Sequence, residues 1–264
     1  MKKVPGSQLQ MPVYVKVSPD MPWPERDKAF YGLARNGLFI GRNHEFFRSC
    51  VRAAKCPSEL AAHAEFIKLS YPRLERSAYE LVVGFFTCVA DLHSAEAIVL
   101  LAWDRDAGRT VLLVPEQHSY VARNWKRTGF HPLHLRYEAS PLPPQLVLIG
   151  DIHSHVDGPA YASHTDVADE TYRPGLHLVV GRIYKDPPEL HIEVAVDGRR
   201  FPVTDPGEVI AGYRRRRADE VPQEWLDQVH VKVVGDTWAD AHPAANPAPG
   251  TPRWNRRPAA DDWE

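Results

Sequence analysis

The sequence predicts a mixed α/β fold, of the α+β kind, with a single central mixed sheet flanked by helices. Three observations carry this. From Pro72 to His93 apolar residues recur at three- and four-residue steps, the period of an amphipathic helix. Short runs rich in Val, Ile and Leu, "LVLIG", "LHLVVGRI" and "LHIEVAV", follow with strand character. The patterns come in the order helix, hairpin, strand, helix, strands, which is the order expected of elements sharing one sheet.

Taken from the N-terminus, "MPVYVKV" alternates as a strand does, and "AFYGLARNGLFIGR" places two apolar runs around Asn36-Gly37, a strong hairpin signal. "HEFFRSCVRAA" reads as a helix, and a polar-apolar stretch runs from Pro57 to Ser70. The helix over 72–93 offers Leu74, Ala78, Leu81, Val82, Phe85, Phe86, Val89 and Leu92 to a core, with Pro72 near its start. "EAIVLLAWDRDAGRTVLLVPE" is a hairpin turning at Asp106-Ala107-Gly108. Residues 116–140 read as loop, closing in a strand over "LHLRYEA".

"PQLVLIGDIHSH" is the next strand, followed by a helix from about Ser163. Two more strands follow, separated by the break Asp186-Pro187-Pro188. Short helices are expected in "PGEVIAGYRRRR" and "VPQEWLDQV". The division expected is an N-terminal β-hairpin and helix extension over 1–70, the main domain over 71–234, and a disordered Pro/Ala-rich tail over 235–264.

Composition narrows the function. A chain of 264 residues with a net charge of −2 lacks the basic field of a dedicated nucleic-acid binder. "YRRRRADE" reads as a solvated helix face beside acidic residues. Cys50, Cys56 and Cys88 form no CxxC pair, which argues against a disulfide framework and fits a reducing compartment. The first residues carry no long apolar leader core, and no run is long enough to span a bilayer. A soluble cytoplasmic protein, with neither nucleic acid nor membrane as partner, is the expectation.

The chemistry concentrates in "GDIHSHVDGPAYASHTDVADE". Strand side chains alternate, so His153 and His155 point to one face and Ser154 to the other. Ser163 and Asp166 have the spacing of a helix cap, with the serine at the N-cap and the aspartate in the first turn. Taken singly, the histidines read as packing residues and the Ser/Asp pair as a cap. Taken together, two imidazole nitrogens and one carboxylate oxygen suit Zn²⁺ and leave a fourth position for water. A dinuclear H-x-H-x-D-H site lacks its last histidine, since Gly158 follows Asp157.

The spacing H-x-H-x7-S-x2-D, here His153, His155, Ser163 and Asp166, resembles the signature of the JAMM (MPN+, JAB) zinc metalloproteases. The wider "GDIHSH…SHTDVADE…RPGLHLVVGRI" is most similar to the bacterial JAB branch associated with ubiquitin-like conjugation operons. The resemblance covers roughly residues 72–196 and implies an MPN/JAB-like, cytidine-deaminase-like fold. It also implies one zinc ion per chain on His153, His155 and Asp166, with Ser163 donating to the developing oxyanion. Val156 stands where many members carry proline, and no clean E-x-x-G precedes the motif.

The family's upstream glutamate is its general base. Glu96 opens a strand after the long helix, where the family places that residue, whereas Glu80 lies within the helix and is expected on its solvent face. The implied reaction is hydrolysis of the isopeptide or peptide bond after the C-terminal tail of a ubiquitin-like protein, with E1- or E2-like proteins as further partners. The alternatives are a sulfur-carrier-processing peptidase of the same fold and a non-catalytic MPN scaffold that binds a ubiquitin-like partner.

Overall fold

The computed structural model describes residues 11–57, 60–123, 129–138, 140–170 and 173–234. The tail expected over 235–264 lies outside them. The chain divides into two compact units, Met1–Phe66 and Ile67–Glu264.

The first unit is a four-stranded sheet of β1 (Val13–Val15), β2 (Ala29–Ala34), β3 (Gly37–Asn43) and β4 (Arg48–Arg52), in that order. β1 pairs parallel with β2, and the β2–β3 hairpin turns where expected, with Gly37 at φ 131°. Its core is aromatic: Phe30 is buried, Tyr14 meets it edge-on, and Trp23 packs against Phe30 and Phe39. The helix expected in "HEFFRSCVRAA" is a correction. Arg48–Arg52 is instead strand β4, pairing antiparallel with β3. Its apolar residues satisfy a helical spacing, yet Val51 is exposed at 59 %, and the ladder to β3 rather than burial fixes the conformation.

The second unit opens with α1 (Arg76–His93), followed by β5 (Ile98–Asp104), β6 (Arg109–Leu113), β7 (Glu116–Arg123), β8 (Phe130–Glu138) and β9 (Leu146–Ser154). Then come α2 (His164–Glu170), β10 (Gly175–Gly181), β11 (Glu189–Val196), β12 (Arg199–Pro202), α3 (Gln223–Leu226) and β13 (Val229–Val234). Six strands form a mixed sheet in the order β12-β11-β10-β9-β5-β6. Only the β9–β10 pair in it is parallel, and α2 lies in the crossover between them.

The expectation of a single sheet is corrected. β7, β8 and β13 form a separate three-stranded sheet in the order β13-β7-β8, where the sequence suggested loop over 116–140. β7 buries Gln117, Ser119 and Val121 in strict alternation, and two of those three side chains are polar, which hides the strand from an apolar pattern. "PGEVIAGYRRRR" gives only one tight turn, Pro206–Glu208, with the Asp205 carboxylate accepting from Gly207 N at 2.9 Å.

α1 is more buried than an amphipathic surface helix. Val82, Val83, Phe85, Phe86 and Val89 are fully enclosed, and they join β5, β9, β10 and β11 side chains and Val121 in one core. Trp225 of α3 meets Phe85 edge-on at 5.6 Å between centroids. The left-handed Ser94 ends α1, its N–H donating to Ala90 O, and turns the chain into β5. Among the described residues no helix is long and apolar enough to cross a membrane.

Candidate metal centre

β9 carries two of the expected donors. His153 lies opposite Ile98 of β5 on one side and Val179 of β10 on the other, so its backbone is held from both flanks. His155 follows the last residue of β9, and its N–H donates to Val180 O at 2.9 Å. Gly150 permits the close β9–β10 approach: a Cβ there would lie 1.9 Å from Leu176 O.

After His155 the chain turns sharply. Val156 sits at φ 50°, a left-handed conformation that a β-branched residue adopts only at a cost of order 1–3 kcal/mol. Burial of its side chain and a bond from Ile183 N to its carbonyl (2.9 Å) offset that cost. Gly158 N closes back on His155 O (2.8 Å), and Arg182 N donates to Gly158 O (2.7 Å). The loop lies flat on Gly181, where a Cβ would meet Ala160 N at 2.3 Å.

Proline, fixed near φ −65°, cannot take this turn. Val156→Pro is therefore expected to lower stability by more than about 1 kcal/mol and to weaken metal retention. Thermal melting and metal content of the purified variant check this.

The turn brings α2 to the histidines. Ser163 N donates to Asp166 Oδ2 at 2.7 Å and Asp166 N to Ser163 Oγ at 3.3 Å, a reciprocal cap that fixes the aspartate's rotamer. The same Oδ2 lies 3.5 Å from His153 Nε2 and 3.6 Å from His155 Nε2. Capping and ligation are thus compatible roles for Asp166. Donors bound at about 2.0–2.1 Å in a tetrahedron stand roughly 3.3–3.4 Å apart, so these separations fit zinc.

The imidazoles are oriented for ligation. His155 Nδ1 lies 3.2 Å from Pro159 O, an acceptor, so this nitrogen carries the proton and Nε2 presents its lone pair. His153 Nε2 is buried with no hydrogen-bond partner, an open position on an otherwise enclosed ring. Burial opposes a charge on His153, but the neighbouring Asp151 and Asp166 carboxylates outweigh it and push its pKa up to about 10. Asp166 is likewise held well below the usual carboxylate range, its burial outweighed by His153, His155 and Ser163.

Glu96 reaches the centre by register. Ile98 faces His153, Ser154 N donates to Ala97 O (3.0 Å), and Ala97 N donates to Ser154 Oγ (3.1 Å). Glu96 lies two residues before Ile98, and its carboxyl falls within the field of His155, His153 and Asp166. Burial, together with Asp166, raises its carboxyl pKa against the opposing pull of His155 and His153.

The segment is braced from the second sheet. β6 pairs with β5 only from Leu100 onward. In place of a strand, the Gln117 carboxamide accepts from Ile98 N (2.8 Å) and donates to Ile98 O (3.1 Å). Ser119 Oγ donates to Glu96 O at 2.6 Å. Neither β7 residue stood out in the sequence, where a lone Gln and Ser carry no signal.

Glu80 is placed elsewhere, and not as expected. It is only 6 % exposed rather than solvent-facing, and Oε1 accepts from Arg214 N at 2.7 Å and Arg215 N at 3.4 Å. From Glu80 to the end of α1 the helix runs about 20 Å, and Glu96 lies beyond that end. Glu80→Ala is expected to cost about 1–3 kcal/mol by stranding those amides, with metal content unchanged. Denaturant melts and elemental analysis test both halves.

A second group of potential ligands, Asp151, Glu170 and His177, lies buried behind the first. Guanidinium groups already fill it: Arg173 pairs with Asp151, and Arg200 Nη2 lies 2.7 Å from Glu170 Oε2. It is a buried ion network rather than a metal cage. The signal for Asp151 was present in the sequence, because strand alternation puts residues 151, 153 and 155 on one face.

Two imidazoles at a strand end and a carboxylate in the first turn of the crossover helix give the α/β domain a group of three donors that could hold a metal ion. Residues 87–195, from within α1 to β11, match the family model of the prokaryotic homologs of the JAB domain. Glu96, His153, His155, Ser163 and Asp166 all fall within that span, and Glu80 does not. No curated protein matches the chain.

Proposed function

We propose that the chain is a zinc-dependent peptidase or isopeptidase that hydrolyses the bond after the C-terminal tail of a ubiquitin-like protein, either freeing it from conjugates or maturing its precursor. The observation that carries this reading is the convergence of His153 Nε2, buried and unbonded, and His155 Nε2 on one Asp166 oxygen, with Glu96 two residues before Ile98, the strand partner of His153. His153, His155 and Asp166 would hold the ion, which supplies Lewis acidity and an activated water when bound.

The remaining work falls to the chain's own groups. Glu96, its carboxyl pKa raised by burial, accepts a proton from the attacking water and returns it to the leaving amine. Ser163 Oγ, which accepts from Asp166 N, still has its own proton to donate to the substrate carbonyl oxygen, an interaction of a few kcal/mol in hydrolases. Tyr161, 51 % exposed, stands edge-on to His155 at 5.1 Å and borders the approach to the centre. An extended tail can add to a free sheet edge as it enters.

The test is cleavage of a ubiquitin-like protein fused to a reporter. Zinc-loaded protein is expected to cut just after the tail, and a chelator to stop it. Binding of the fusion without cleavage, with zinc loaded, would instead identify a scaffold.

A further inference from the structure

We propose that Asp151 is a positioning residue for the metal centre, holding the proton of His153 on Nδ1 so that Nε2 faces the ion. The inference rests on the zinc-peptidase reading above.

Asp151 is 1 % exposed, and its two oxygens are treated differently. Oδ2 is saturated: it accepts from Arg173, and His177 Nδ1 lies 3.0 Å away. Oδ1 is buried with no hydrogen bond and lies 4.0 Å from His153 Nδ1. A separation of 4.0 Å is not yet a hydrogen bond. Closing it by about 1 Å makes one.

The alternative proton position is unfavourable. With the proton on Nε2, Asp151 Oδ1 would stay a buried, unpaired anionic oxygen, and Nε2 could no longer ligate.

The rest of the network supports a role for Asp151 beyond packing. Arg173 also donates to the Tyr137 hydroxyl, and its carbonyl lies 3.3 Å from His177 Nε2. His177 Nδ1 is 3.5 Å from Glu170 Oε1, and Arg200 ties Glu170 to Glu193. Glu170 ends α2, the helix whose first turn carries Asp166. One buried chain of charges therefore reaches from His153 to the far end of the helix that bears the third donor. Burying such charges costs more than filling the same space with apolar side chains, so stability alone does not account for them. Fixing two donors on separate elements does.

The experiment has two arms. In wild-type protein loaded with zinc, ¹⁵N–¹H correlation spectra of the histidine rings are expected to show His153 protonated at Nδ1, its proton shifted downfield by the carboxylate. In Asp151→Asn, zinc affinity is expected to fall about ten- to a hundredfold while affinity in Glu80→Gln stays at the wild-type value. Cobalt-substituted Asp151→Asn should also show an altered ligand-field spectrum.

Zinc uptake with His153 protonated at Nε2, or unchanged affinity and spectrum in Asp151→Asn, overturns the inference and leaves the metal centre standing. Wild-type protein that takes up no zinc overturns the centre itself. If Asp151→Asn does not fold, the wild-type spectra alone decide.

Discussion

His153→Ala and His155→Ala proteins are expected to emerge from purification with almost no zinc, against about one ion per chain in the wild type, and to be inactive. Each change removes one donor of three. With the Nε2 atoms 3.5 and 3.6 Å from Asp166 Oδ2, no other side chain is placed to replace the missing nitrogen among the described residues. Stability should report the same loss. Free zinc at a hundred times its dissociation constant stabilises a protein that binds it only when folded by about 2.7 kcal/mol. Wild-type protein should therefore melt several degrees higher with zinc than with chelator, and the two variants should melt alike in both. Two metal ions per chain, or a wild-type melting point indifferent to zinc, would contradict a mononuclear centre.

Glu96→Gln is expected to separate binding from turnover. The amide is nearly isosteric, and the segment's anchors are main-chain atoms: Glu96 O, held by Ser119, and Ile98, held by Gln117. Fold and zinc content should therefore persist. The amide cannot take a proton from water, so cleavage should fall by about a hundred- to ten-thousandfold. The measurement is turnover on the reporter fusion at matched zinc occupancy. Normal cleavage by the Glu96→Gln protein would move the base elsewhere, and loss of zinc from it would make Glu96 a ligand.

The part of the centre that follows one local pattern was legible in the sequence. Alternation along "GDIHSH" put both histidines on a face, and S-x-x-D marked the start of α2, because each signal is written within a few residues. What escaped was fixed by distant partners. Glu80 looked like a surface residue until the Arg214 and Arg215 amides, 134 and 135 positions later, enclosed it. β7 looked like loop because Gln117 and Ser119 occupy its buried positions, and such positions are tolerable only when β5 supplies matching groups. β4 was misread because five residues at a sheet edge carry too little burial to separate a strand period from a helical one. The split into two sheets is likewise a matter of long-range pairing, with β13 joining β7 across more than a hundred residues of chain.

The segment carrying Glu96 is held from two sheets, by β9 through Ile98 and Ala97 and by β7 through Gln117 and Ser119. Damage confined to β7, β8 or β13 should loosen the glutamate first, while β9 and α2 keep their grip on zinc. The product of such damage is not a null protein. Under the proposed function it would load metal normally and turn substrate over slowly.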